Sequence, residues 1–172
     1  MVHQGFQDCL YFDDKTTDKP SLDAIIDHID VLLGVGGGNR RIVVAGHSLG
    51  GAMAILLTLK IALLRPDLAS RIEEVVTFGA PAVGFGRFKK AVRQLGVKIT
   101  RIVNGVDLVS FAPPAFYRHV GDEIWLREDG VEQQPTWLRR IILGRFNVTQ
   151  ALRDHDIKSY IKRLARSPQP AA

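Results

Sequence analysis

Ile42-Val43-Val44-Ala45-Gly46-His47-Ser48-Leu49-Gly50-Gly51-Ala52-Met53-Ala54-Ile55-Leu56-Leu57 is the stretch from which the rest of the chain can be read. A β-branched run leads into Gly-x-Ser-x-Gly, and an Ala/Leu-rich segment leads out to Leu64. Strand, sharp turn and helix in that order lift a serine onto an exposed corner. Such a corner holds Ser48 in strained φ/ψ, and Gly46 and Gly50 are expected to remove side chains that would strike the neighbouring backbone. Gly51 is expected to let the helix pack close to the strand. The turn also puts Ser48 at a helix N-terminus, where free N–H groups and the helix dipole favour a developing oxyanion. A capping serine in a glycine-rich turn is the plainer alternative; the flanking strand and uninterrupted helix favour a nucleophile.

The chain has 172 residues, 46% apolar and 24% charged, which suits one domain with a sizeable core. That domain is expected over 1–166, with 167–172 a frayed Ser-Pro-Gln-Pro-Ala-Ala tail. No apolar run is long enough to span a bilayer, and the N-terminus has no basic-then-apolar export pattern. The chain as given therefore reads as cytoplasmic. Cys9 is the single cysteine, so neither an internal disulfide nor a cysteine-based metal site is expected.

The net charge is +5, and its excess is C-terminal: residues 137–172 hold eight Lys/Arg against two Asp/Glu, while residues 1–136 hold fifteen against sixteen. No nucleic-acid-binding motif surrounds these cations, and nucleic acid is not an expected partner. An anionic lipid surface met through 137–166, or solvated helix faces, explains them better. Trp137 to Phe146 mixes apolar bulk with Arg139, Arg140 and Arg145, which suits either a flap on a lipid surface or a helix covering the core.

Around the central stretch the periodicities alternate. Ser21 opens a helix with Leu22, Ile25, Ile26, Ile29, Leu32 and Leu33 on one stripe, ended by the turn from Gly34 to Gly38. The helix after Ser48 stops at Arg65-Pro66-Asp67. Ile72–Phe78 reads as a second strand, 86–95 as a basic amphipathic helix and Val97–Val103 as a third strand. A fourth strand over Tyr117–Arg127 precedes a hairpin turn at Glu128-Asp129-Gly130. A last helix over Asp154–Arg166 would turn Ile157, Tyr160, Ile161 and Leu164 inward. Strands alternating with helices predict an α/β fold with a mostly parallel sheet.

A serine hydroxyl attacks only with a base in reach and a group orienting that base. In serine hydrolases on such sheets the partners follow in the order serine, acid, histidine. Only His119 and His155 lie downstream of Ser48. His155, at a loop-to-helix junction, is the better base; His119 opens a strand and reads as structural. Asp107 lies just past a strand end, where open α/β sheets place their crevices, and is the better acid. Asp154 and Asp156 flank His155, but a neighbour in sequence orients an imidazole poorly. His47 reads as a hydrogen-bonded imidazole beside the turn, and His28 as a surface residue.

Taken together, these motifs carry a resemblance. Val2-His3-Gln4-Gly5-Phe6, Gly46-His47-Ser48-Leu49-Gly50-Gly51-Ala52, Val76-Thr77-Phe78-Gly79-Ala80-Pro81, Val103-Asn104-Gly105-Val106-Asp107-Leu108-Val109, Tyr117-Arg118-His119-Val120-Gly121 and Asp154-His155 occur in order over nearly the whole chain. In this it resembles the class 3 lipases, the group that includes the fungal triacylglycerol lipases. The resemblance implies an α/β-hydrolase fold and hydrolysis of carboxylic esters of lipids. It implies Ser48 as nucleophile, Asp107 as acid, His155 as base and the Leu49 N–H as an oxyanion donor, with no metal or organic cofactor. Family members are often secreted.

In the family a strand and loop ahead of the His-x-Gly-Phe segment supply the second oxyanion donor and the lid; this chain begins at that segment, so the fold is expected to be N-terminally shortened. A trimmed fragment, an N–H from residues 1–5, or a second copy or other chain over the bare sheet edge would each account for the difference. The expected activity is lipase or esterase chemistry on a lipid or small ester through an acyl-enzyme. The alternatives are a catalytically weak homologue serving as a lipid-binding or interaction module, and an acyltransferase.

Overall fold

The computed structural model describes residues 2, 4–11, 13–14, 19–34, 39–113, 116–128, 130–136, 138 and 147–166. The expected flap at 137–146, apart from Leu138, lies outside these residues, as do positions 35–38 of the first glycine turn, Asp129 of the hairpin turn and the tail at 167–172.

Helix α1 (Gln4–Tyr11) leads into a short antiparallel pair, β1 (Asp13–Asp14) and β2 (Lys19–Pro20), and then into α2 (Ser21–Gly34). Strand β3 (Ile42–His47) runs into α3 (Leu49–Leu64) through Ser48 alone. One turn, α4 (Pro66–Ala69), opens on the proline that ends α3 and leads into β4 (Ile72–Phe78). Then follow α5 (Gly86–Gln94), β5 (Lys98–Asn104), β6 (Asp122–Leu126), β7 (Val131–Gln133), α6 (Val148–His155) and α7 (Ile157–Arg166).

The main sheet has the order β3-β4-β5-β6-β7. Its first four strands are parallel and β7 returns antiparallel, as the expected hairpin requires. Residues alternate across β4 and β5, so Val75, Ile99 and Val103 are buried while Glu73 and Lys98 reach solvent. The core fills one face: Ala52, Ile55, Leu56 and Ile61 of α3 pack with Leu22 and Ile26 of α2, Phe88 and Val92 of α5, and Ile72, Val75 and Ile99 of the sheet. Each Leu, Ile, Val or Phe among them contributes about 1.5–3 kcal/mol when fully buried. Helix α3 is apolar all round because it lies between the sheet and α1. The other face carries α7 against β5 and leaves Val43 on β3 59% exposed.

Several expectations need correction. The fourth strand is confined to 122–126: Gly121 adopts φ +82, a Cβ there would strike the Ile99 carbonyl, and the segment before it turns away so that Arg118 bridges Gly84 instead. The last helix begins at Ile157, because Asp156 is extended (ψ 129) and separates it from α6. Helix α6 was not expected; Asn147 caps it, its side-chain oxygen accepting from the N–H groups of Thr149 and Gln150 at 2.9 and 3.3 Å. The α2 stripe is narrower than its periodicity suggests, with Ile25 and Leu32 exposed, and in α7 only Tyr160 is buried while Ile157 and Ile161 face outward. No helix among the described residues is long and apolar enough to cross a membrane.

Candidate active site

Ser48, Asp107 and His155 leave the secondary structure at one end of the sheet: Ser48 directly after β3, Asp107 in the connection after β5, His155 as the last residue of α6. Ser48 has φ 55 and ψ −126, a conformation that costs a non-glycine residue about 1–3 kcal/mol. The turn is held by the Ser48 N–H on Phe78 O at 2.9 Å and by the Gly51 N–H on Ser48 O at 3.0 Å. A Cβ on Gly46 would run into the Gly50 carbonyl, and one on Gly51 would stand 2.7 Å from the Ala80 Cβ and 2.9 Å from Gly46 O. Gly50 does not have the expected role. A Cβ there meets nothing within 4 Å, because the residue lies in the first turn of α3 on its solvent side.

The side chains expected to act together do meet. His155 Nε2 lies 2.9 Å from Ser48 Oγ, and Nδ1 lies 3.0 Å from each carboxylate oxygen of Asp107. With Nδ1–H donating to the carboxylate, Nε2 is left to accept from the serine hydroxyl. The His155 side chain is 23% exposed, whereas Asp107 is fully buried. A buried carboxylate has to be bonded on all sides. Here Oδ1 also accepts the Val109 N–H at 2.9 Å, and Oδ2 accepts the Tyr160 hydroxyl at 2.6 Å. The Tyr160 hydroxyl in turn accepts the Asn104 N–H at 3.1 Å.

Asp154 does not touch the imidazole of its neighbour, as expected. Instead its Oδ2 accepts the Val106 N–H at 2.9 Å, and its Oδ1 lies 3.4 Å from Arg163. Consecutive residues 154 and 155 thus grip consecutive residues 106 and 107. Asn104 completes the tie, donating to Asp154 O at 2.8 Å and accepting from Arg163 at 2.8 Å. His47 donates from Nε2 to the main-chain carbonyl of His155 at 2.8 Å, its ring 4.8 Å from that of His155. His119 donates to Ser110 O at 2.7 Å, and His28 is exposed on α2, the supporting and surface roles expected of them.

Sequence reasoning missed Tyr160 and Asn104 as parts of this network. A tyrosine on a buried helix face carries a hydroxyl that needs a partner, and that was the available signal. Leu49 is the first residue of α3, so its N–H has no intrahelical acceptor. Of residues 1–5, the candidate source of a second donor, Val2 bridges Gly84 and Gln4 opens α1, while Met1 and His3 lie outside the described residues. Among the described residues no group of three or more His, Cys, Asp or Glu could hold a metal ion.

Comparison with known proteins bears on the family and the fold. A family model described as lipase (class 3) matches residues 1–117. Phospholipase A1-Igamma2, chloroplastic, of Arabidopsis thaliana is 34% identical over 156 residues, covering 73% of this chain and 29% of its own. A lipase of Rhizomucor miehei is 36% identical over 94 residues, covering 54% of this chain and 26% of its own. Among solved structures, a triacylglycerol lipase with a serine protease triad as its catalytic centre superposes with a TM-score of 0.59 at 30% identity, covering 74% of this chain and 45% of that one. The chain spans less than a third of the length of these two curated relatives. The plant relative's name gives no support to a cytoplasmic placement. With two thirds of its residues matched by one family model and its sheet shared with that lipase, the chain belongs to the class 3 lipase family and has the α/β-hydrolase fold.

Proposed function

We propose that the chain hydrolyses carboxylic esters of lipids through an acyl-enzyme on Ser48. The observation that carries this reading is the unbroken line from Ser48 Oγ through both ring nitrogens of His155 to Asp107, at 2.9 and 3.0 Å. His155 Nε2 takes the serine proton as Oγ attacks the ester carbonyl. Asp107 keeps Nδ1 protonated and stabilises the imidazolium. The Leu49 N–H donates to the oxyanion, aided by the N-terminal end of the α3 dipole. His155 then returns its proton to the leaving alcohol and activates the water that frees the acid. An alcohol in place of that water would make the same acyl-enzyme an acyltransferase.

Lipid esters are the substrate class because the named relatives are lipases and a phospholipase A1. The Ser48→Ala chain should fold normally, lose ester turnover by more than about 10⁴-fold and no longer react with a fluorophosphonate. Turnover surviving that exchange refutes the assignment. A folded unaltered chain inert to the probe favours the second reading, a lipid-binding homologue. That reading rests on the oxyanion donors: among the described residues only the Leu49 N–H is assigned, and a site that loses one of two donors runs about 10²–10³ slower. A second copy laid against the outer side of β3 belongs to the same proposal, as does contact of 137–166 with an anionic lipid surface.

A further inference from the structure

Residues 86–101 contain six cations and no carboxylate. Two are neutralised from neighbouring strands: Lys98 by Glu74 at 3.1 Å and Arg101 by Glu123 at 2.6 Å. The other four, Arg87, Lys89, Lys90 and Arg93, all lie on α5, and among the described residues no carboxylate pairs with them. Phe88 and Val92 bury the inner side of this helix, so Arg87, Lys90 and Arg93 stand exposed and Lys89 half-buried. Residues three and four apart on a helix are neighbours, and like charges so placed repel. Part burial, and then Arg93, Arg101 and Arg118, hold the Lys89 ammonium below its ordinary range. The cluster is therefore an arrangement that a counter-charge would stabilise.

Its position gives it a use. Helix α5 follows the end of β4 that lies beside Ser48, and the Arg118 N–H on Gly84 O at 2.8 Å holds a further guanidinium-bearing residue there. Beside the start of α5, Phe116 is 74% exposed, its ring 6.5 Å from that of Phe85. An exposed large aromatic beside a row of cations is the pairing that settles at the boundary of head groups and acyl chains. Gly86, Lys89, Lys90, Arg93 and Gln94 line an open recess of about 340 Å³. The cations run from Arg87 to Arg93, roughly 9 Å along the helix axis, which is wider than one phosphate group.

We propose that the exposed cations of α5 and the ring of Phe116 form a docking surface for an anionic lipid bilayer, which brings the Ser48 end of the sheet to that surface. This inference rests on the lipid-ester reading for its purpose, but its test does not. The Ser48→Ala chain is mixed with vesicles of phosphatidylcholine alone or mixed with phosphatidylglycerol, and the bound fraction is measured by flotation. Binding should be at least about tenfold tighter to the anionic vesicles and should fall away in concentrated salt. Exchange of Arg87, Lys89, Lys90 and Arg93 for Gln should cut that difference at least about threefold, any remainder lying with 137–166, and Phe116→Ser should weaken binding while keeping its salt dependence.

The pair Lys90→Gln and Arg93→Gln, both on the solvent side, serves if the fourfold variant does not fold. Equal binding to the two vesicles, or undiminished binding by these variants, overturns the proposal. So does displacement by millimolar glycerol phosphate, which would mark a site for one head group, or by duplex DNA, which would mark a general polyanion site. A failed ester assay would overturn the role of Ser48 and leave the vesicle measurement standing.

Discussion

The hydroxyl of Tyr160 joins the acid of the candidate site to the middle of the sheet. It donates to Asp107 and accepts the main-chain N–H of Asn104, the last residue of β5, and it is wholly buried. A hydrogen bond to a charged group contributes about 1.5–3 kcal/mol. If Asp107 orients His155, then Tyr160→Phe should lower kcat about tenfold to a hundredfold and leave KM unchanged, because the lost bond lies behind the base and away from any substrate. Steady-state kinetics on a soluble short-chain ester reads this split. A parallel change in KM, or no change in kcat, would make Tyr160 a packing residue only. Ser48, Asp107 and His155 were legible from motif and chain order, since a nucleophile needs a base and the base needs an acid. Tyr160 was legible only as an inward face of a helix. The grip of Asp154 on Val106 follows from how α6 meets the loop after β5, which no local pattern encodes.

At the level of elements, the strand–turn–helix unit depends on two glycines by close approach and not on the third. Gly46→Ala sets a methyl group against the Gly50 carbonyl, with only main chain available to yield. This should destabilise the fold by about 2 kcal/mol or more and abolish activity. Gly50→Ala meets open space in the first turn of α3 and replaces a poor helix former, so stability should stay level or rise by up to about 1 kcal/mol. Urea unfolding of the two variants side by side checks the contrast, and equal losses would overturn it. Strands β3, β4 and β5 and helices α2, α3 and α5 were legible because each is long and strongly periodic. The half of the expected fourth strand before Gly121 was not, because its β-branched and aromatic residues fit an extended chain whether or not it joins the sheet. Helix α6 was missed because it has few apolar residues and draws its stability from Asn147, Ala151 and Asp154.

For the whole molecule, the sequence leads one to expect a bare sheet edge beside β3, and among the described residues no strand pairs with its outer side. Parallel sheets are ordinarily covered on both faces, yet here Val43 is largely exposed. An uncovered apolar edge is a template for another strand. The chain should therefore associate with rising concentration, and Val43→Lys, a charge on that edge, should lower the mass measured by light scattering. Equal masses for the two chains would show that β3 is not the contact. By itself the sequence determined strands β3, β4 and β5, helices α2, α3 and α5 and the sharp turn at Ser48, because periodicity and turn chemistry act over a few residues. Only the tertiary structure decided that residues 48, 107 and 155 meet within hydrogen-bond distance, that Tyr160 and Asp154 hold them there, and that no carboxylate among the described residues reaches the cations of α5. Those outcomes depend on which surfaces pack together across the sheet, and packing brings together residues that no local pattern relates.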